Sequence, residues 1–446
     1  MSAAACFVRP RFATNRFLAI GLASVVLFWT KSGVAASDID RDPINYSKAV
    51  PDNVISRLQE QLTSGKKKLT YAKKLGYLSS LLEELQVPVS SQVLVFSKTS
   101  LQRDLISPKA PRALYFNDKA YVGSCRGGSI LEISVADPKL GAVFYVLEQE
   151  PSAPPRFQRQ GDSCLICHAS SQNDGFPGHL VRSVYSDAHG LPMLSMGSHH
   201  TTHTSPLEER WGGWYVTGTS GKQTHLGNLI LEGKTQTNKI DNRSGTNVTS
   251  LERFCRLSSY LSSHSDLVAL MVLEHQTQMQ NLLTRANFLT RLAIRDRQIY
   301  DKALGRSPDE PSESFLGRIR DAGEPVLKYL LFCDEAKLTD PVLGTTSYAT
   351  DFAKQGPRDP RGRSLREFDL QKRLFKYPCS YLIYSEAFDA LPAVVKDYIL
   401  KRMDEVLSGA DQTPAFAHLT TADRHAIREI LVATKPAVEA AWQAPK

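Results

Sequence analysis

Apolar residues recur at helical spacing in three parts of the chain. In residues 54–86, leucines form a stripe with a period near 3.6 residues, which predicts helical structure. Residues 263–304 contain no glycine or proline, and Asp266 follows Ser263 at the spacing of a capping box, so we expect a long helix there. Residues 386–440 also have a helical pattern.

Between the first two helical regions the pattern changes to short runs rich in β-branched and aromatic residues. Glycine, proline and Asn-Asp separate these runs, which is typical of strands joined by turns. The predicted strands are Ser91–Val95, Arg112–Phe116, Ala120–Val122, Ile130–Val135, Gly141–Leu147, His179–Tyr185, Pro192–Met196, Trp214–Thr217 and Leu229–Leu231.

These patterns predict an α+β fold. A β-rich region, residues 91–249, is expected between an N-terminal helical segment, residues 37–90, and a larger C-terminal helical region, residues 250–446. Residues 1–36 have the composition of a targeting segment and are treated separately.

The N-terminus has the features of an export signal. Basic residues precede Phe17–Trp29, a run of thirteen mostly apolar residues without a charge, and small residues end at Ala36. Because thirteen residues are too few to span a bilayer, we expect a signal peptide removed after Ala36. The mature chain is then predicted to be periplasmic or secreted from a bacterium, with no stable membrane span.

The charge balance does not indicate a nucleic-acid partner. The chain has a formal net charge of +8 over 446 residues, and four of its basic residues lie in the predicted signal peptide. The mature chain is therefore only weakly basic, so no nucleic-acid or membrane-surface partner is expected.

Cys164-Leu165-Ile166-Cys167-His168 is a C-x-x-C-H motif. Thiols at this spacing can add to the two vinyl groups of one haem, and the following histidine can ligate its iron. We therefore predict one covalent haem c on Cys164 and Cys167, with His168 as proximal ligand, in a loop after the proline-rich residues 151–155. The alternative is a zinc half-site or a redox Cys-x-x-C, although the chain has no second Cys-x-x-C to complete a zinc site. Haem attachment outside the cytoplasmic membrane agrees with an export signal.

The remaining cysteines of the mature chain allow two interpretations. In an oxidising compartment they could form two disulfides with three possible pairings, or they could be buried free thiols. These cysteines are Cys125, Cys255, Cys333 and Cys379.

The residue on the other side of the iron separates the possible functions. A methionine there would raise the reduction potential, as in electron-carrying cytochromes c. His275 lies on the apolar stripe of the long helix, where a histidine is usually a core residue. Adjacent His199 and His200 would point to opposite faces of a strand, which disfavours a three-histidine metal site. The candidate distal ligands, in order, are His203, His225, Met193, Met196 and His275.

Arg182, Arg210 and Trp211 have the chemistry expected around a haem. Arginines neutralise propionates through charge-assisted hydrogen bonds, and aromatic rings pack on the macrocycle. The alternative is structural, because Gly212-Gly213 is a hairpin signal and tryptophan is a good core residue.

Four further runs resemble those of exported bacterial "cytochrome c domain" proteins. The resemblance covers residues 76–434 and implies a single covalent haem c and a periplasmic location, without an assigned reaction. The runs are Leu94-Val95-Phe96-Ser97-Lys98-Thr99-Ser100-Leu101, Pro111-Arg112-Ala113-Leu114-Tyr115-Phe116-Asn117-Asp118, Arg210-Trp211-Gly212-Gly213-Trp214-Tyr215-Val216-Thr217-Gly218-Thr219 and Tyr377-Pro378-Cys379-Ser380-Tyr381-Leu382-Ile383-Tyr384-Ser385.

Three functions are compatible with this sequence. Electron transfer with redox partner proteins in the periplasm is the first expectation. The second is a haem enzyme with an open distal site, acting on peroxide or on a small nitrogen or sulfur compound, in which histidines near residues 199–203 act as acid–base groups. The third is a haem-based sensor of gases or of redox state.

Overall fold

The alternating segments of the chain fold as short antiparallel strands. The computed structural model describes residues 39–232, 240–307 and 309–443, so the signal peptide predicted at residues 1–36 lies outside the described residues. The strands are β1 (Val93–Val95), β2 (Arg112–Phe116), β3 (Ala120–Ser124), β4 (Ile130–Asp137), β5 (Gly141–Glu148), β6 (Phe157–Gln160), β7 (Arg182–Val184), β8 (Ser198–His200), β9 (Trp214–Tyr215), β10 (Gly218–Thr219) and β11 (Leu343–Gly344).

Seven of these strands form one antiparallel sheet. Its order is β6-β5-β4-β3-β2-β1-β9, so the first six strands lie beside their neighbours in sequence and β9 is added at the β1 edge. Strands β7 and β8 form a separate antiparallel pair, as do β10 and β11.

The two faces of this sheet have different compositions because side chains alternate along a strand. On β4, Leu131 and Ile133 are buried on one face, whereas Glu132 and Ser134 are half-buried on the other. Ser134 pairs with Phe144 of β5. We call the face that carries Glu132, Ser134 and Phe144 the front face, and the opposite one the back face.

Helices surround the sheet and confirm the predicted α+β class. Most of the helical residues follow the β-rich region, as the sequence pattern predicts. The helices are α1 (Val54–Thr63), α2 (Leu78–Glu84), α3 (Asp162–His168), α4 (Leu267–Leu304), α5 (Glu313–Leu330), α6 (Tyr348–Ala353), α7 (Glu386–Asp389), α8 (Ala393–Leu407), α9 (Thr421–Thr434) and α10 (Pro436–Gln443).

Each face of the sheet contributes to its own hydrophobic cluster. On the back face, Ile133 is buried together with Ile55 of α1 and Leu81 of α2. On the front face, Val95 and Tyr121 are buried in a cluster that also contains residues of α4, α5 and α8. The sheet lies between the two clusters and contributes residues to both, and the described residues form one compact unit.

The first predicted helical segment is interrupted in the structure. α1 ends at Thr63 and α2 begins at Leu78, and the residues between them include Gly65 and Gly76, both with positive φ. Positive φ is readily adopted by glycine and incompatible with a continuous right-handed helix. Leu69, one of the leucines of the predicted stripe, is nevertheless buried against the back-face cluster.

Three details of the remaining prediction are wrong. Residues 192–196 form a 3-10 turn at Leu194–Met196, and Leu231 makes only an isolated bridge with Asp187, so neither predicted segment is a strand. The long helix is capped by Asp266, whose side chain accepts hydrogen bonds from the amides of residues 268 and 269, and not by Ser263.

Cys125, Cys255, Cys333 and Cys379 are buried free thiols, which is the second of the two interpretations above. Burial raises the pKa of each of them above that of an exposed thiol. Within the described part of the chain, no helix is both long and apolar enough to cross a membrane.

Candidate functional site

The C-x-x-C-H motif forms helix α3, which follows edge strand β6, and not the loop predicted from the sequence. Residues three and four apart lie on the same side of a helix. Cys164 therefore shares one side of α3 with Cys167 and His168. Asp162 lies in the first turn, where a carboxylate is favoured by the helix dipole.

Both motif thiols are free and accessible. Cys167 is exposed, and Cys164 is half-buried, with a pKa raised by its burial. Ile166 lies between them in sequence and is 76% exposed, which is unusual for a large apolar side chain. One turn of helix thus presents two thiols and an uncovered apolar side chain.

The ring of His168 has a fixed orientation. Its Nδ1 atom lies 2.9 Å from the carbonyl oxygen of Gly178, and its ring packs on Phe144 with the centroids 4.6 Å apart. A neutral ring that donates from Nδ1 to a carbonyl keeps Nε2 as the atom that can bind a metal. Burial lowers the pKa of His168, which favours this neutral form.

The segment after His168 is tied to the long helix α4. The carbonyl oxygen of His168 accepts hydrogen bonds from the Gly178 amide (2.9 Å) and the Asn173 side chain (3.0 Å). Asn281 of α4 donates to Asn173 Oδ1 and to the His179 carbonyl, and accepts from the His179 amide. A Cβ atom at Gly178 would lie 2.5 Å from Asn281 Oδ1, so only glycine fits at this position.

His179 is a component of the site that the sequence analysis missed. Its Nε2 atom lies 2.6 Å from Ser134 Oγ of the front face, and its ring packs on Tyr121 at 4.4 Å. Burial and the nearby His168 lower the pKa of His179 to about 3. Its place in the histidine-rich part of the chain was the only signal in the sequence. Its contacts are made with distant segments of the chain, so no local motif marks this histidine.

An ion pair lies on the front face close to α3. Nη2 of Arg112 on β2 lies 2.6 Å from Oε2 of Glu132 on β4, and both side chains are mostly buried. The charges of both residues act on Cys164 and on His168. The motif therefore faces a charged part of the sheet that sequence analysis did not identify.

His203, the first predicted distal ligand, lies in the front-face cluster beside His275. The two Nδ1 atoms are 2.9 Å apart, and Tyr329 stacks on His203 with the ring centroids 3.9 Å apart. His275 Nε2 lies 2.8 Å from Ser380 Oγ. Burial is the main reason that the pKa of His203 lies well below its usual value, and the charge of His275 lowers this pKa further. The structure brings these two candidates to each other, with no described contact to α3.

Arg210 and Trp211 form a buried polar group with Glu274 of α4. Arg210 pairs with the Glu274 carboxylate, and Trp211 Nε1 donates to it at 3.2 Å. The Arg210 guanidinium also donates to the carbonyl oxygens of His203 and Ser205. These contacts favour the structural interpretation of Arg210 and Trp211 over a role at a haem, because they occupy the polar atoms of both side chains.

Arg182, the other predicted arginine, lies on β7. Its guanidinium donates to Ser198 Oγ, with Nη2 at 2.6 Å, and it pairs across the strands with His200. The Nε2 atom of His200 is buried without a hydrogen-bond partner among the described residues. The carbonyl of Arg182 accepts a hydrogen bond from Trp214 of the main sheet at 2.8 Å. The β7–β8 pair is therefore attached to the β9 edge.

The remaining distal candidates differ in exposure. His225 is 2% exposed, accepts a hydrogen bond from the Gly227 amide and packs against Trp211. Met193 is half-buried, and the neighbouring Leu194 is 63% exposed. Met196 is half-buried as well and ends the 3-10 turn.

The segment of Met193 is connected to the front face. The Gly190 carbonyl accepts a hydrogen bond from the Lys98 amide at 2.8 Å, and Ser100, two residues further, donates to Glu132. A short piece of chain thus joins the Met193 loop to the ion pair that acts on α3.

Comparisons of the chain with protein-family models, with curated proteins and with solved structures find no match. Among residues 39–232, 240–307 and 309–443, no three histidine, cysteine, aspartate or glutamate side chains are placed to hold a bare metal ion.

Proposed function

We propose that this chain is an exported mono-haem c-type cytochrome that transfers electrons. In this proposal, haem c is attached covalently to Cys164 and Cys167, and His168 is its proximal ligand. The observation that carries the proposal is the geometry of α3: both thiols and the histidine share one side of a helical turn, and the Gly178 carbonyl leaves Nε2 of His168 available.

Exposed apolar side chains on α3 and on the loop of Met193 fit a large apolar group. Ile166, Leu191 and Leu194 are between 50% and 76% exposed, and uncovered apolar side chains of this kind mark binding sites. Arg182 on β7 carries a guanidinium group of the kind that pairs with carboxylates, and it donates to Ser198 Oγ. Arg182 keeps its predicted role in this proposal, whereas Arg210 and Trp211 stabilise the core.

A haem bound here would supply an iron that cycles between the ferric and ferrous states. The chain supplies the environment of that iron. Asn173 and Asn281 hold the loop that orients His168, and Phe144 excludes water from one side of its ring. A rigid ligand set limits reorganisation between redox states, as electron transfer requires.

Met193 is the distal ligand that this proposal favours. His203 and His225 are almost fully buried, and each has a ring nitrogen in an internal hydrogen bond. Met193 is half-buried on a loop connected to the front face, beside the exposed Leu191 and Leu194. A redox partner protein in the periplasm would then dock near this exposed apolar edge.

The test is an absorption spectrum of the haem-loaded chain, ferric and ferrous, with and without carbon monoxide. We expect a low-spin ferrous spectrum that carbon monoxide does not change, because a protein side chain holds the sixth position. Ready binding of carbon monoxide would favour the haem enzyme or the gas sensor. A chain without covalently bound haem would refute the proposal, and its absence from the periplasmic fraction would refute export.

A further inference from the structure

The Arg112–Glu132 ion pair is built into the front face of the sheet. The two charged groups are 2.6 Å apart, with side chains 16% and 12% exposed. Arg112 lies on β2 and Glu132 on β4, with Gly123 of β3 between them in register with Glu132. A Cβ atom at Gly123 would overlap the Arg112 guanidinium, so the glycine leaves the space through which the arginine crosses β3.

Both members of the pair are held in place. Glu132 Oε1 accepts hydrogen bonds from Ser100 Oγ (3.2 Å) and from the side chain of Gln102 (3.2 Å). Arg112 Nε and Gln102 Oε1 are buried without hydrogen-bond partners among the described residues. A buried charged pair with unused polar atoms costs free energy and is not expected to persist for stability alone.

The pair lies next to the proximal histidine. Glu132 is two residues before Ser134 on the same face, and Ser134 pairs with Phe144, on which the His168 ring packs. Glu132 is therefore a diagonal neighbour of Phe144 across β4 and β5, and side chains placed in this way lie roughly 7–8 Å apart.

We propose that the Arg112–Glu132 pair sets the reduction potential of the haem held by α3, with Arg112 favouring the reduced state and Glu132 opposing it. This inference rests on the proposed function. One-electron oxidation of an iron bound there would add a positive charge, which the Arg112 guanidinium would disfavour and the Glu132 carboxylate would favour. Both residues act through the electrostatic field and are positioning residues.

The test compares reduction potentials of haem-loaded full-length variants. We expect Arg112→Gln to lower the potential and Glu132→Gln to raise it, each by on the order of a tenfold change in the equilibrium constant, or about 59 mV for one electron. The exposed pair Arg57–Asp52 provides the control, and Arg57→Gln should leave the potential unchanged.

Opposite shifts separate an electrostatic role from a structural one, because loosening of the site would move both variants in the same direction. Unchanged potentials, or shifts of the same sign, would overturn the inference. Glu132→Gln retains the shape of the carboxylate, so it decides the matter by itself if Arg112→Gln does not fold. Haem staining of a denaturing gel tests covalent attachment independently of the reduction potentials. A wild-type chain without covalent haem would refute the proposed function and not this inference.

Discussion

His168 and Gly178 are joined twice: Nδ1 of the ring lies 2.9 Å from the Gly178 carbonyl oxygen, and the Gly178 amide donates to the His168 carbonyl, also at 2.9 Å. The nine-residue loop between them is closed by these bonds and attached to α4 through Asn281. A histidine at the end of a short helix is thereby oriented by the long helix of the C-terminal region.

Loss of the two motif thiols should abolish covalent haem attachment. We expect the double variant Cys164→Ala, Cys167→Ala to release its haem on denaturation, because no other accessible thiol pair occurs among the described residues. Haem staining of a denaturing gel measures this. Cys255→Ala, which removes a buried thiol elsewhere, is the control and should retain haem. Haem retained by the double variant would contradict the assignment.

Removal of the Asn281 side chain should loosen the loop of His168. Asn281→Ala leaves buried polar groups of Asn173 and His179 without partners, which we expect to lower the free energy of unfolding by about 1–3 kcal/mol. Urea unfolding measures this, and the absorption spectrum should change with it. Asn287→Ala, on the same helix but bonded to Ala390 and Arg291 and not to the loop of His168, is the matched control. Equal spectra for both variants would argue against a positioning role.

The distal ligand can be identified by single substitutions. We expect Met193→Leu to convert the low-spin spectrum to one that carbon monoxide changes, because leucine retains the volume of methionine and removes the sulfur. His203→Gln and His225→Gln should leave the iron spectrum unchanged, since both rings are engaged in the interior. Met196→Leu and His275→Gln complete the set. A spectral change in His203→Gln or His225→Gln alone would contradict the choice of Met193.

Stability should decrease as the pH falls below about 6.5. Burial lowers the pKa of His225 to about 4 and that of His275 to about 3, so both stay neutral in the folded chain while the unfolded chain takes up protons. His225→Gln should reduce the slope of the unfolding free energy between pH 6.5 and 4 by up to about 1.4 kcal/mol per pH unit. Urea unfolding at several pH values measures the slope, with the exposed His199→Gln as control. Equal slopes for wild type and His225→Gln would contradict the prediction.

The buried ion pair Arg210–Glu274 should be costly to break from one side. Arg210→Met leaves Glu274, which is fully buried, without its cation, and we expect a loss of about 3–5 kcal/mol in the free energy of unfolding. Burial already raises the pKa of Glu274, to about 7, and Arg210 counteracts this. The double variant Arg210→Met, Glu274→Leu should be more stable than Arg210→Met. A double-mutant cycle without coupling would show that the pair does not stabilise the fold.

Some elements were predictable because their signals are local. The strands from Arg112 to Leu147 follow the alternation of side chains that a half-buried sheet requires, and the long helix follows from an apolar stripe without a helix breaker. The prediction of a strand at residues 192–196 was wrong because the alternation there does not reflect pairing with the main sheet. The segment contains a 3-10 turn instead.

The sequence by itself determined the chemistry of the motif, since the spacing of Cys164, Cys167 and His168 is a property of five consecutive residues. Tertiary structure decided which side chains surround it. His179 and the Arg112–Glu132 pair come from separate segments that meet only when the sheet forms, while Arg210 and His203, adjacent to other plausible haem residues in sequence, are directed into the core. A motif of five residues is formed by one turn of backbone. The side chains that surround it come from distant segments, and the pairing of those segments is not visible in a local sequence pattern.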